Sequence, residues 1–114
     1  MPANDEFAPC SLIDHEDGAF SLIFTDFDST EEIFAEQELD GGGYTWHAIV
    51  DSLVKMKTPK IARLLDYDPE AGMFAAISRD RDSLKQVAVL IRNALKDREL
   101  LQLAIDNADP ELLE

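Results

Sequence analysis

The chain has little of what catalytic and metal sites are usually built from. Its 114 residues include a single cysteine and two histidines. A lone Cys10 excludes an internal disulfide framework and agrees with a reducing compartment. A structural zinc site wants four ligands, usually in close pairs; Cys10, His15 and His47 are scattered, so no metal is expected. Positive charge is also scarce: 10 Lys and Arg stand against 24 Asp and Glu, a formal net charge of −14. Such a balance keeps a protein in solution and repels nucleic acid and anionic membranes. Its natural complement is a basic protein surface. No apolar run approaches the roughly 20 residues of a membrane span, and the acidic start lacks the basic and apolar regions of a signal peptide. A cytoplasmic location is the expectation. No Ser/His/Asp set stands at a recognisable spacing, and no basic aromatic patch is present. The run Gly41, Gly42, Gly43 lacks the lysine and Ser/Thr of a phosphate-binding loop. Catalytic residues and cofactors are therefore not expected, and the chain reads as a non-enzyme.

What is present is a pattern stated twice. In residues 64–86, Leu64, Leu65 and Tyr67 read as a short strand, Asp68 and Pro69 open a turn, and Gly72 closes it in the left-handed conformation. Residues 73–77 return as a second strand. Ser83 stands three residues before Gln86, as in a capping box, and predicts a helix start there. In residues 12–32, Leu12, Ile13 and Asp14 match Leu64, Leu65 and Asp66. Gly18, Phe20, Ile23, Asp28 and Ser29 match Gly72, Phe74, Ile77, Asp82 and Ser83 at one constant offset. Ser29 and Glu32 repeat the capping box. The two stretches read as a duplicated ββα unit.

Taken in order, residues 1–9 are an expected flexible tail and residues 10–114 a single domain, a size suited to one modest core. Phe20, Leu22 and Phe24 alternate with Ser21 and Thr25, as in a strand with one core face. The helix from Ser29 turns Ile33 and Phe34 inward and leaves Glu31, Glu32, Glu36 and Glu38 in water, until the three glycines end it as a hinge. Thr45 is a candidate cap for the next helix. There Trp46, Ile49, Val50, Leu53 and Val54 form a core stripe. Thr58 and Pro59 start a short helical turn. The helix from Ser83 faces the core with Leu84, Val87, Ala88, Ile91, Ala94 and Leu95, and its other side carries Lys85, Arg92 and Asn93. Asp97 caps a last helix with Leu100, Leu101, Ala104 and Ile105 inward, and Pro110 marks its exit. The order is ββααββαα. The expected fold is α+β in two layers, about four mostly antiparallel strands covered by helices.

Two stretches invite a chemical reading. Residues 22–30, LIFTDFDST, look like the first motif of haloacid dehalogenase phosphotransferases, which would make Asp26 a nucleophile. Those enzymes are much longer and need a downstream lysine and a metal-binding acidic pair, so Asp28 and Ser29 are better read as a helix cap. His15 matches Tyr67 in the repeat and reads as a sheet residue, and His47 falls off the apolar stripe, toward solvent. Recognition must then use loops and polar faces. Glu36, Glu38, Asp40 and Tyr44, around the mobile glycine run, are the first candidate partner-binding group. Asp66, Asp68 and Glu70 on the second hairpin are a second acidic cluster.

Gly-Gly-Tyr-x-Trp at residues 42–46, Asp-Pro-Glu-Ala-Gly-Met-Phe at 68–74 and Ala-Asp-Pro-Glu-x-Leu at 108–113 occur in an order and spacing that resembles the immunity-protein 51 family of bacterial polymorphic toxin systems. The resemblance runs from Cys10 to the C-terminus. It implies a small cytoplasmic protein that binds and blocks a cognate toxin domain, a basic nuclease being the class that suits the acidic charge. It carries over no catalytic residues. The competing class is a small non-catalytic regulatory or interaction domain with another protein partner.

Overall fold

The computed structural model describes residues 7–113. Four strands form one antiparallel sheet: β1 Ser11–Asp14, β2 Phe20–Phe24, β3 Asp66–Tyr67 and β4 Phe74–Ser78, in the order β1-β2-β4-β3. Two short helices, α1 Glu31–Glu36 and α5 Pro110–Leu113, accompany three longer ones, α2 Gly43–Lys57, α3 Arg81–Lys96 and α4 Arg98–Asp106. The expected α+β architecture and its element order are present, with α5 added where Pro110 was read as an exit. Asp109 explains α5, because its carboxylate accepts the Glu111 N–H (3.0 Å) and proline suits a first helical position.

The repeat governs how the central strands meet. Leu22 pairs with Ala76, its own equivalent in the second unit, and the pairs Phe20 with Ser78 and Phe24 with Phe74 exchange under the same correspondence. The pairing of the two units is thus symmetric about the Leu22–Ala76 step. On one face of the sheet Leu22, Phe24, Phe74 and Ala76 are fully buried beneath the helices. Trp46, Ile49, Val50 and Leu53 from α2 and Leu84, Val87, Ala88 and Ile91 from α3 complete that core, each essentially inaccessible. The expected stripes are borne out. Trp46 makes edge-on contacts with Phe24 (ring centroids 4.9 Å apart) and Phe34 (5.9 Å), and so ties β2 and α1 to α2. On the opposite face Ser11, Ile13, Thr25, Asp66 and Asp68 are exposed, Ile23 and Ile77 are half-buried, and the small Ser21 and Ala75 between them are buried.

Several local readings are corrected. Of the expected tail, Phe7 is buried in the core with the Arg81 guanidinium 4.9 Å over its ring, and Arg92 Nε donates to the Ala8 carbonyl (2.8 Å); residues 1–6 lie outside the described part. Leu64 ends a 3-10 turn, Pro59–Leu64, and is not in the strand. The second hairpin turns at residues 70–73, where Glu70 and Met73 exchange backbone hydrogen bonds (2.7 and 3.1 Å), not at Asp68 and Pro69. Gly72 does not adopt a positive φ.

The capping boxes do not form. Asp80 caps α3 by accepting the Asp82 N–H, which leaves Ser83 inside the helix, buried, with its hydroxyl bonded to the Asp80 carbonyl (2.7 Å). No side chain caps α1, which begins at Glu31 after a 3-10 turn. Thr58 likewise makes no cap bond; its hydroxyl donates to Gln86 Oε1 (2.9 Å). Asp97 caps α4 as expected, accepting the N–H groups of Glu99 and Leu100.

Candidate functional site

The candidate surface starts where α1 stops. That helix ends five residues before the first glycine of the run, at Glu36. The Leu39 N–H donates to the Phe34 carbonyl (2.9 Å) and the Glu38 N–H to the Ala35 carbonyl (3.1 Å), the paired bonds that close a helix through a left-handed residue. The left-handed position is Glu38, at φ 60°. Glycine normally stands there, since a side chain in that conformation costs roughly 1–2 kcal/mol. The motif also places Leu39 back on Phe34 and the core, while Glu36, Glu38 and Asp40 all remain exposed.

The glycine run then proves to be a clamp and not a hinge. Gly42 caps α2, and Gly43 is its first residue, so the helix starts before Thr45. Thr45 serves the same terminus differently: its hydroxyl accepts the Gly41 N–H (3.0 Å). The Gly43 N–H donates to the Ala71 carbonyl (3.0 Å) in the turn of the second hairpin. A Cβ at Gly42 would overlap the Ala71 carbonyl oxygen, and one at Gly43 would overlap those of Glu70 and Met73. Only glycine allows two backbones to approach this closely. The consequence is positional. The acids of the α1–α2 connection and Tyr44, which is 48% exposed, are fixed beside the turn that carries Glu70.

Of the seven candidate residues, Glu36, Glu38 and Asp40 are exposed in and just after α1, Tyr44 is exposed in the first turn of α2, and the backbone of Glu70 lies against Gly43. Asp66, Asp68 and Glu70 keep one register on the second hairpin, with Glu70 opposite Met73. Asp66 pairs with Ile77, and the Asp68 N–H donates to the Ala75 carbonyl, which puts both on the uncovered face of the sheet. None of the six acids takes part in an ion pair among the described residues. Two acids were not singled out by sequence. Asp28 and Glu31 join Asp40, Phe27, Gly41 and Ala71 around a concavity of ≈ 260 Å³. Their three-residue spacing puts them on one side of a helical turn, a signal masked by their reading as cap and solvent residues.

Tyr67 shares the covered face of the sheet with Phe74, and its ring packs on His47 (centroids 4.6 Å), so His47 is half-buried where solvent exposure was expected. Burial holds the His47 imidazole below its usual range, with Asp51 opposing, and pushes the Tyr67 phenol up, with Asp51 adding to the effect. His15 sits just beyond β1, its Nε2 2.7 Å from Ser21 Oγ. Cys10 is buried and its thiol is pushed up to about 12 by burial, partly offset by Arg92. Among the described residues no group of three or more His, Cys, Asp and Glu side chains is arranged to hold a metal ion, and no helix is long and apolar enough to cross a membrane.

The family model described as immunity protein 51 matches residues 10–110, and the chain belongs to that family. No curated protein and no solved structure matches it.

Proposed function

We propose that this chain is an immunity protein that binds a cognate bacterial toxin domain and neutralises it by occlusion, without catalysis of its own. Membership of the immunity-protein 51 family carries the proposal. The exposure of Glu36, Glu38 and Asp40 close in sequence to the exposed Tyr44, an aromatic side chain suited to anchoring an interface, supports a contact through this connection. An inhibitor of this kind needs complementary shape and charge in place of reactive groups. A nuclease cleft is basic because it holds phosphates, so a basic nuclease in the cytoplasm is the toxin class that the net charge of −14 fits best.

The test uses the toxin domain encoded beside this chain's gene. The chain should bind it and abolish its activity. The triple variant Glu36→Lys, Glu38→Lys and Asp40→Lys should keep the native melting temperature while association slows by about tenfold and loses much of its salt dependence. A toxin domain that neither binds the chain nor is inhibited by it removes the proposal. Unchanged association kinetics of the triple variant would move the contact away from these acids.

A further inference from the structure

The uncovered face of the sheet is unlike an ordinary solvated one. Antiparallel sheets commonly leave one face in water, and that face then reads polar. Here the outward positions of the two central strands are Ile23 on β2 and Ile77 on β4, half-buried, with Ser21 and Ala75 beside them buried. None carries charge, although 30% of the chain is charged. Beside them on β1, Ile13 is 46% exposed, and Ile23 and Ile77 are half-buried. Charge appears only around this apolar centre. Asp66 and Asp68 line the β3 side, and Arg79 lies at the far end, where its guanidinium donates to the Asp17 carbonyl (3.1 Å). An apolar centre with a charged rim is the anatomy of a protein interface.

We infer that this face is a second part of the toxin contact, a docking surface for a basic protein surface that seats apolar side chains on Ile13, Ile23 and Ile77 and directs lysine or arginine side chains to Asp66 and Asp68. The inference rests on the proposed function, and it assigns a role to the acids of the second hairpin. Glu70 continues the register of Asp66 and Asp68, and its backbone lies against Gly43, so one partner can reach both parts. Charge decides against a second copy as occupant, because stacking two such faces would bring together two rims holding Asp66 and Asp68 in molecules of net charge −14. Both edge strands are short, and Asp14 and Asp66 stand on them, which opposes strand addition as the alternative mode.

The experiment needs no variant at its core. With isoleucine δ1 methyls labelled in the full chain and the adjoining toxin domain unlabelled, saturation of the toxin should pass to Ile13, Ile23 and Ile77 and spare Ile49 and Ile91, which are fully buried. Ile13→Asp, at an exposed edge position, should weaken binding by about tenfold or more with its thermal unfolding unaltered. Toxin binding with all three methyls silent overturns the inference and leaves the proposed function standing. A toxin that does not bind the wild-type chain removes both. A chain that sediments as a dimer, becoming monomeric with Ile13→Asp, also overturns it, since the face would then be occupied by a second copy.

Discussion

In the second ββα unit, β4 runs through the Asp80 cap into α3, a helix of 16 residues; in the first, β2 runs through an uncapped 3-10 turn into α1, which has only 6. The strands of the two units pair symmetrically about Leu22 and Ala76, yet their helices share neither length nor capping chemistry. The difference has a physical origin. Each central strand is the other's hydrogen-bonding partner, and a one-residue slip in either would turn its core side chains to the other face, so the strands are held to a common pattern. A helix that follows a strand has no such partner. The second unit uses that freedom to build the core with Leu84, Val87 and Ile91, whereas the first ends its helix early and exposes Glu36, Glu38 and Asp40.

If the first unit is held to the body of the protein chiefly through Trp46, removing that side chain should affect the two units unequally. Trp46→Ala should cost about 3–5 kcal/mol, because the indole is fully buried between Phe24 and Phe34. Amide exchange should then rise around residues 31–36 more than around residues 81–96. Equal acceleration in both would mean that Trp46 supports the whole core alike. A sharper contrast sets the two sides of the clamp against each other. Gly43→Ala forces a methyl into the Glu70 and Met73 carbonyls and should destabilise by about 3 kcal/mol. Gly72→Ala has nothing within 4 Å of the new Cβ and no positive φ to forfeit. It should be neutral, or stabilising by about 0.5 kcal/mol through the unfolded chain. Denaturant midpoints of the two variants measure the contrast directly, and a tolerated Gly43→Ala would show that the clamp yields.

The elements that sequence made legible were those with a period. Alternation in residues 20–25 gave β2 its core face, and the Trp46 to Val54 spacing gave α2 its stripe, because each pattern records burial averaged over many residues. Helix termini failed where two local bonding schemes competed. Ser83 can cap a helix, but Asp80 offers a carboxylate to the Asp82 N–H, and the shorter side chain of Ser83 finds the Asp80 carbonyl. The triple glycine was legible as unusual and illegible in purpose, since flexibility and close approach require the same residue, and only the position of the second hairpin distinguishes them. Asp66, Asp68 and Glu70, grouped by proximity in the chain, also keep one register on the second hairpin, with Glu70 opposite Met73, so the pairing leaves them on one face of the sheet.

The smallest effect tests whether the first unit gave up stability for its surface. Glu38 occupies the left-handed position that closes α1, and both hydrogen bonds of the closure are backbone bonds that glycine would make equally well. The side chain is exposed and joins no ion pair among the described residues, so nothing in the fold offsets its conformational cost. Backbone strain at a residue of this kind points to a role in function. Glu38→Gly should therefore raise stability by about 1 kcal/mol, read as a higher denaturant midpoint at unchanged slope. It should also bind the toxin domain more weakly than the wild type, through faster dissociation or slower association. Greater stability with unaltered binding would leave the strain without a purpose at this surface, and Glu36 and Asp40 would then carry the charge of the site between them.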